Sequence, residues 1–281
     1  MEVNDGIAPC CLTVAGSDSG GNAGVQADLR AFHAYGLHGC TVFAALTAQN
    51  PREVTAIHAV PPDFVAAQLD AVLGVYSIRA MKTGMLADPG AIAVIADRLA
   101  RHPEVAKVID PVMIATSGAR LVPEETMKAI VGRLLPLATL MTPNLPEAEA
   151  LVGEGGGAAS ADDLRAASAD RARVLAERLH MRYGCAVLVK GGHGAGASAV
   201  DVLCTGRGDF SELSLPWVAN PVSTHGTGCS LAAALAAELA LGRSVKDAVR
   251  GAKAYVHDAI AGSYLVGPGC GVLGFAPRRG D

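Results

Sequence analysis

The stretch CCLTVAGSDSGGNAGVQADLRAFHAYGLHGCTVFAAL, residues 10 to 46, decides the fold of this 281-residue chain. It begins with an apolar run typical of a buried strand and passes through a glycine-rich segment into a run with helical spacing. A second apolar run follows. A strand, a helix and a strand in this order form a βαβ unit, whose two strands are parallel. We therefore expect a parallel sheet with helices packed on it.

The same alternation of strand-like and helical runs continues along the chain. It is interrupted at residues 153–169, a segment rich in Gly, Ala and Ser that we interpret as a surface insertion. The runs ASAVDVLCTG and DFSELSLPWV have no helix between them, which predicts an antiparallel hairpin at a sheet edge or a small lid. We predict an α/β fold with a mostly parallel central sheet and helices on both faces. The expected organisation is a tail of residues 1–9 and a single domain of residues 10–281.

The composition excludes several classes of protein. Apolar residues make up 51% of the chain and charged residues 18%, which is enough for a large core and argues against disorder. The net charge of −4 argues against nucleic-acid binding, which usually requires a basic surface. No apolar run reaches the roughly 18 residues of a membrane span. The seven scattered cysteines and the acidic N-terminus without signal-peptide features predict reduced thiols and a cytoplasmic protein.

The segment GTGCS, residues 226–230, directly precedes an Ala-rich apolar run that predicts a buried helix. The first N–H groups of a helix bind negative charge and can stabilise phosphoryl oxygens during transfer. A thiol at this position is in the same field, so we expect the pKa of Cys229 to be lowered and its thiolate to act as a base or a nucleophile. The alternative is a buried structural thiol beneath a core helix.

Polar side chains also follow the ends of other predicted strands. Asp110 ends VID, Asn144 and Glu147 lie in TPNLPE, and Lys190 ends VLVK. Ligands of open α/β sheets bind beyond the carboxyl ends of the strands, where carboxylates hold Mg²⁺ and a lysine suits a phosphate. The alternatives stay open: Asn144 and Glu147 have the spacing of a helix capping box, and Lys190 could lie on a solvated edge.

A further group of candidates lies near the first two strands. The glycines of residues 20–24 let the backbone approach a ligand, or simply form a tight turn before a helix. Asp28 and Gln49 could read the donors and acceptors of a heterocycle. Alternatively, Asp28 only complements the dipole of its helix, and Gln49 belongs to a turn with Asn50.

Seven segments in order resemble the hydroxymethylpyrimidine/phosphomethylpyrimidine kinases of thiamine biosynthesis, in the ribokinase superfamily. The segments are AGSDSGGNAGVQADL, ALTAQN, KTGML, VIDPVM with TSGARL, TPNLPEAEAL, VLVKGGH and THGTGCSLAAA. They cover nearly the whole chain. The resemblance implies a ribokinase-like fold, a homodimer, and two steps that use ATP and Mg²⁺. These are the phosphorylation of 4-amino-5-hydroxymethyl-2-methylpyrimidine and then of its monophosphate to the diphosphate.

The resemblance also implies roles for individual residues. The positions that match the pyrimidine-binding set are Asp28, Gln49, Thr47, Met85 and Gly24. The segment Gly226, Thr227, Gly228 and Cys229 matches the anion hole, with Cys229 in the place of the aspartate base of related sugar kinases. Lys190 and Asn144 match phosphate-contacting positions, together with Gly226 and Gly228. Asp110 and Glu147 match the positions associated with Mg²⁺.

Several alternatives and departures accompany this resemblance. The chain could be a pyridoxal or pyridoxine kinase of the same fold, although the segment MIATSGARL lacks the cysteine that some pyridoxal kinases carry there. A catalytically silent pyrimidine-binding sensor and a thiol-dependent hydrolase that pairs Cys229 with His225 or His193 are the other candidates. Asn22 stands where a third consecutive glycine is common in the family.

Overall fold

A computed structural model describes residues 8–113, 122–153, 169–191 and 198–276 of the chain. Most of the expected tail of residues 1–9 lies outside the described residues. So do nearly all of the insertion at 153–169, the segment MIATSGARL after its first residue, and His193. The following description concerns the described ranges.

The elements alternate between strands and helices in chain order. They are β1 (Cys10–Asp18), α1 (Gly24–Ala34), β2 (His38–Gln49), β3 (Val54–Ala59), α2 (Pro62–Leu73), β4 (Ile78–Thr83), α3 (Pro89–Leu99), β5 (Ala106–Ile109), α4 (Glu124–Ala129), β6 (Leu140–Met141), α5 (Leu145–Val152), α6 (Ala169–Tyr183), β7 (Ala186–Val189), β8 (Ser198–Gly206), β9 (Asp209–Pro216), α7 (Thr227–Ala240), α8 (Val245–Ala261), β10 (Tyr264–Gly267) and β11 (Cys270–Val272).

One nine-stranded sheet has the order β3-β2-β1-β4-β5-β6-β7-β8-β9. The six strands from β2 to β7 in this order run parallel, and their carboxyl ends lie at one edge. Strand β3 is antiparallel to β2, and β8 and β9 form an antiparallel hairpin at the other side of the sheet. The predictions of a mostly parallel sheet and of an antiparallel hairpin at its edge are confirmed.

The sheet separates two apolar cores, because successive side chains of a strand point to opposite faces. In β1, Leu12 and Val14 belong to the core beneath α2 to α6, whereas Cys11 belongs to the core beneath α1, α7 and α8. Ten of the fourteen residues of α7 are buried, as its Ala-rich sequence predicts. Within the described ranges, none of the helices has the length and apolar content to cross a membrane.

One element differs from what its spacing predicts, which is a helix over the whole run PEETMKAIVGRLL, and another element was not predicted. The run PEETMKAIVGRLL is α-helical only over Glu124–Ala129 and continues as a π-helical turn over Ile130–Leu134. Pro136 follows this turn and has no N–H, so a regular α-helix cannot continue through it with its usual hydrogen bond. Strand β3 was not predicted, because all six of its residues are exposed and no apolar face marks it.

Candidate active site

Polar side chains that follow three parallel strands meet on one face of the sheet. Val108, Leu140 and Leu188 belong to the core beneath α1, α7 and α8, so residues two positions later share that face. These later residues are Asp110, Thr142 and Lys190. The Oδ1 atom of Asp110 accepts hydrogen bonds from Thr142 Oγ1 at 2.9 Å and from Lys190 Nζ at 2.9 Å.

The Lys190–Asp110 ion pair lies at the boundary between the protein interior and the surface. The side chain of Lys190 is 18% exposed and that of Asp110 only 3%. Burial alone would lower the pKa of Lys190, but the carboxylates of Asp110 and Glu147 outweigh it and raise the pKa. Lys190 therefore stays charged, and part of its side chain is accessible at the protein surface.

Asn144 and Glu147 form a complete capping box at the start of α5. Asn144 Oδ1 accepts from the N–H of Glu147 at 2.8 Å, and Glu147 Oε2 accepts from the N–H of Asn144 at 2.8 Å. The structural alternative for this pair is thus confirmed. Glu147 has a second feature, however. Burial raises its pKa to about 7; Lys190 opposes this shift and Asp110 adds to it.

The carboxylates of Asp110 and Glu147 are close enough to repel each other, and Lys190 interacts favourably with both. Within the described residues there is no group of three or more His, Cys, Asp and Glu side chains that could hold a metal ion. Two carboxylates fit Mg²⁺, which keeps several waters and binds substrate phosphates as well. They do not fit a metal ion that is enclosed by protein ligands alone.

The N-terminus of α7 faces the same edge of the sheet. Gly226, the N-cap, has a φ of 88° and no side-chain cap, so it leaves the first-turn N–H groups without a local side-chain acceptor. A Cβ atom at Gly226 would overlap the carbonyl oxygen of Asn22, which shows how closely the two loops touch. Next along the helix, a Cβ atom at Gly228 would lie 3.9 Å from Lys190 Nζ. The helix terminus and the lysine therefore face one space, as an anion site requires.

Cys229 is partly exposed and lies in the first turn of α7. Burial of its thiol raises the pKa of Cys229, and the carboxylates of Asp28 and Asp110 add to this effect. Lys82 and the N–H of Gly24 act in the opposite direction without compensating it. The expectation of a lowered pKa is therefore wrong, because desolvation and two nearby carboxylates outweigh the positive charges around the sulfur.

The loop between β1 and α1 is held by one carboxylate. The oxygens of Asp18 accept from the N–H groups of Gly20, Asn22 and Ala23, each at 2.8 Å. The tight turn, one of the two alternatives for residues 20–24, is confirmed. The loop also reaches β2, since Ser19 Oγ donates to the carbonyl oxygen of Gln49 at 2.7 Å.

Most of the predicted pyrimidine-binding residues lie around this loop. Thr47 Oγ1 is 3.1 Å from Gln49 Oε1, and the side chain of Gln49 is partly exposed. A Cβ atom at Gly16 would lie 3.1 Å from the terminal methyl of Met85, and one at Gly24 would overlap the carbonyl oxygen of Gly16. The structure thus groups Met85 with Gly24 and Thr47 with Gln49 at the carboxyl edge of the sheet.

Asp28 is the exception among these residues. It is fully buried, and its Oδ2 atom accepts from Thr13 Oγ1 at 2.6 Å and from Lys82 Nζ at 3.0 Å. This carboxylate is enclosed by protein, so the predicted contact of Asp28 with a pyrimidine has no support in this structure. Lys82 itself was not predicted, because the only indication of it is a lysine inside the apolar strand IRAMKT.

Sequence and fold both match known proteins. The family model for phosphomethylpyrimidine kinase matches residues 18–274. A hydroxymethylpyrimidine/phosphomethylpyrimidine kinase of Rhizobium meliloti is 46% identical over 256 residues, which are 89% of this chain and 90% of that protein. The thiamine biosynthesis bifunctional protein ThiED of Geobacter sulfurreducens is 44% identical over 92% of this chain, which spans only 51% of that protein. The pyridoxal kinase of Bacillus subtilis, solved as an ADP complex, matches 96% of this chain and 98% of its own with 33% identity and a TM-score of 0.84.

The close approach of Gly226 to Asn22 makes a stability prediction. We expect Gly226→Ala to destabilise the protein because the added methyl group meets the carbonyl oxygen of Asn22. Gly242→Ala is the matched control: Gly242 ends the same helix with a φ of 78° and has open space around it. Both variants strain a left-handed backbone, but only the first also overlaps an atom. Thermal and urea denaturation should show an additional loss of ~2 kcal/mol for Gly226→Ala, as overpacking costs. Equal losses would contradict the contact.

Proposed function

The chain belongs to the phosphomethylpyrimidine kinase family, and on that premise we propose that it phosphorylates 4-amino-5-hydroxymethyl-2-methylpyrimidine and then its monophosphate, with ATP, in thiamine biosynthesis. It is a phosphotransferase. The observation that carries the proposal is the convergence of Lys190, the N-terminus of α7 and the Asp110–Glu147 carboxylates at the sheet edge that also carries Gln49. A cation, a helix terminus and a carboxylate pair are the groups that phosphoryl transfer requires.

In the proposed mechanism, Lys190 and the first-turn N–H groups of α7 bind the oxygens of the transferred phosphoryl group. Mg²⁺, when bound beside Asp110 and Glu147, would neutralise charge on the nucleotide phosphates. The substrate oxygen attacks the terminal phosphorus of ATP in line, the bond to the β-phosphate oxygen breaks, and ADP leaves. Cys229 accepts the proton of the attacking hydroxyl group on its sulfur when the thiolate is present.

The first test of this proposal is direct. Purified protein with ATP and MgCl₂ should convert the hydroxymethylpyrimidine to its monophosphate and then to the diphosphate, resolved by chromatography. Pyridoxal is the competing substrate, since a pyridoxal kinase shares the fold. We expect kcat/KM for the pyrimidine to exceed that for pyridoxal. A reversed preference would indicate a pyridoxal kinase, and ligand binding without turnover of either compound would indicate a sensor.

The second prediction concerns Cys229. The hydroxyl group of the first substrate has to lose a proton, whereas the phosphate of the second is already largely ionised near neutral pH. Cys229→Ala should therefore slow the first phosphorylation more than the second, by about 100-fold or more, in line with the usual contribution of a general base. Cys229→Ser, which keeps the size of the side chain, should show the same bias. Equal losses in both steps would contradict the role of a base.

We also infer a single kinase domain over residues 10–281 and a cytoplasmic homodimer. All seven cysteines are free, which fits a reducing compartment. The support for the dimer is the exposed edge of the sheet: Val54 and Ile57 on the edge strand β3 and Leu46 on its neighbour β2 are each about half exposed, on the two faces of this edge. A second copy of the chain would cover such an edge.

The dimer is tested by a charge on the edge strand. Ile57→Glu should convert the dimer to a monomer in light scattering coupled to size exclusion. Val174→Glu is the matched control, because Val174 is similarly exposed but lies on α6, away from β3. A monomeric parent protein, or an Ile57→Glu variant that remains dimeric, would refute this interface.

A further inference from the structure

Lys82 carries a charge where the protein leaves it no water. Its side chain is 0% exposed, as is that of Asp28, and the two form an ion pair at 3.0 Å. Thr13 completes the cluster, since it donates to the same oxygen of Asp28 and is the register partner of Lys82 across β1 and β4. A chain rarely buries a lysine so completely without a use for its charge.

The cluster is not arranged as a structural ion pair would be. The Oδ1 atom of Asp28 is buried and has no hydrogen-bond partner among the described residues. A pair that served stability alone would satisfy both carboxylate oxygens, because a buried unsatisfied acceptor costs free energy. The negative charge of Asp28 is therefore only partly compensated by its hydrogen-bond donors.

This cluster lies on the face of the sheet that α1 and α7 cover, and the first turn of α7 carries Cys229. The side chain of Lys82 points to the face of the sheet that α1 and α7 cover, and a Cβ atom at Gly84 would lie 2.9 Å from Nζ, which places the ammonium at the carboxyl edge. The charged groups near the sulfur are Lys82 from β4, Asp28 from α1, Asp110 after β5 and Lys190 after β7. Of these, Lys82 and Asp28 are fully enclosed, so solvent screens their charges least.

We propose that Lys82 is a positioning residue for Cys229: its ammonium, fixed by Asp28, stabilises the thiolate and so sets the pH at which the thiol ionises. The step is a simple proton loss, in which the sulfur keeps the electron pair of its S–H bond and the proton passes to solvent base. Asp28 opposes this effect with its own charge while it holds Lys82 in place. The proposal concerns the thiol itself and does not depend on the identity of the substrate.

The experiment measures the alkylation rate of Cys229 by iodoacetamide against pH, in the full-length protein without substrates. The parent carries Cys270→Ser, which removes the other partly exposed thiol, and peptide mass spectrometry locates the modified residue. Lys82→Met should move the midpoint of the pH profile up, with about a tenfold slower reaction at pH 8 for a shift of one unit. Asp28→Asn should move it down, since it removes a negative charge and leaves the ammonium. Lys82→Arg should restore the parent profile.

Two further variants keep the test decisive. Lys107→Met is the matched control, because Lys107 is also buried but its Nζ donates to the carbonyl oxygens of His102 and Val105 at the opposite end of β5. It should leave the profile unchanged. The double variant Asp28→Asn/Lys82→Met removes both charges together and serves if Lys82→Met does not fold; its midpoint should lie above that of Asp28→Asn, because the two variants differ only by the lysine. A midpoint that stays at the parent value in the folded Lys82 variants would overturn the proposal.

Discussion

Parallel pairing of the central strands is the constraint on which the candidate site depends. Parallel strands end at the same edge, so the residues that follow β5, β6 and β7 are brought together although they lie far apart in the chain. The alternation of side chains then selects which of them share a face. Asp110, Thr142 and Lys190 satisfy both conditions, and their hydrogen bonds follow from this geometry.

Positive and negative side chains are paired at this edge. The Asp28–Lys82 pair and the Asp110–Lys190 pair both lie near Cys229. Such an arrangement confines strong fields to a small volume while the net charge stays low. It also explains why the thiol and the carboxyl group of Glu147 both hold their protons more tightly than they would in water, since each is buried beside a carboxylate as well as a lysine.

The sequence was sufficient for the features that depend on long periodic patterns. The parallel sheet, the edge hairpin and the buried helix α7 all follow from runs of apolar residues with a clear period. Strand β3 could not be found in this way because it buries no face. The pKa of Cys229 depends on how deeply the sulfur is buried and on the carboxylates of Asp28 and Asp110. Both residues are far from Cys229 in the sequence, so the sequence around Cys229 does not reveal their effect. Likewise, a helical position near the N-terminus of α1 does not reveal whether Asp28 faces a cleft or a buried lysine.

The contact between Gly226 and the loop before α1 bears on how this loop can diverge between relatives. The atom that Gly226 meets is the main-chain oxygen of residue 22, and the backbone at Asn22 is not left-handed. Any amino acid supplies that oxygen, and glycine is not needed for the local backbone angle. Asparagine can therefore replace the usual glycine without altering the junction. The start of α7 and the loop before α1 are therefore joined through a main-chain oxygen. Residue 22 can be substituted without loss of this contact, whereas a side chain at position 226 would overlap it.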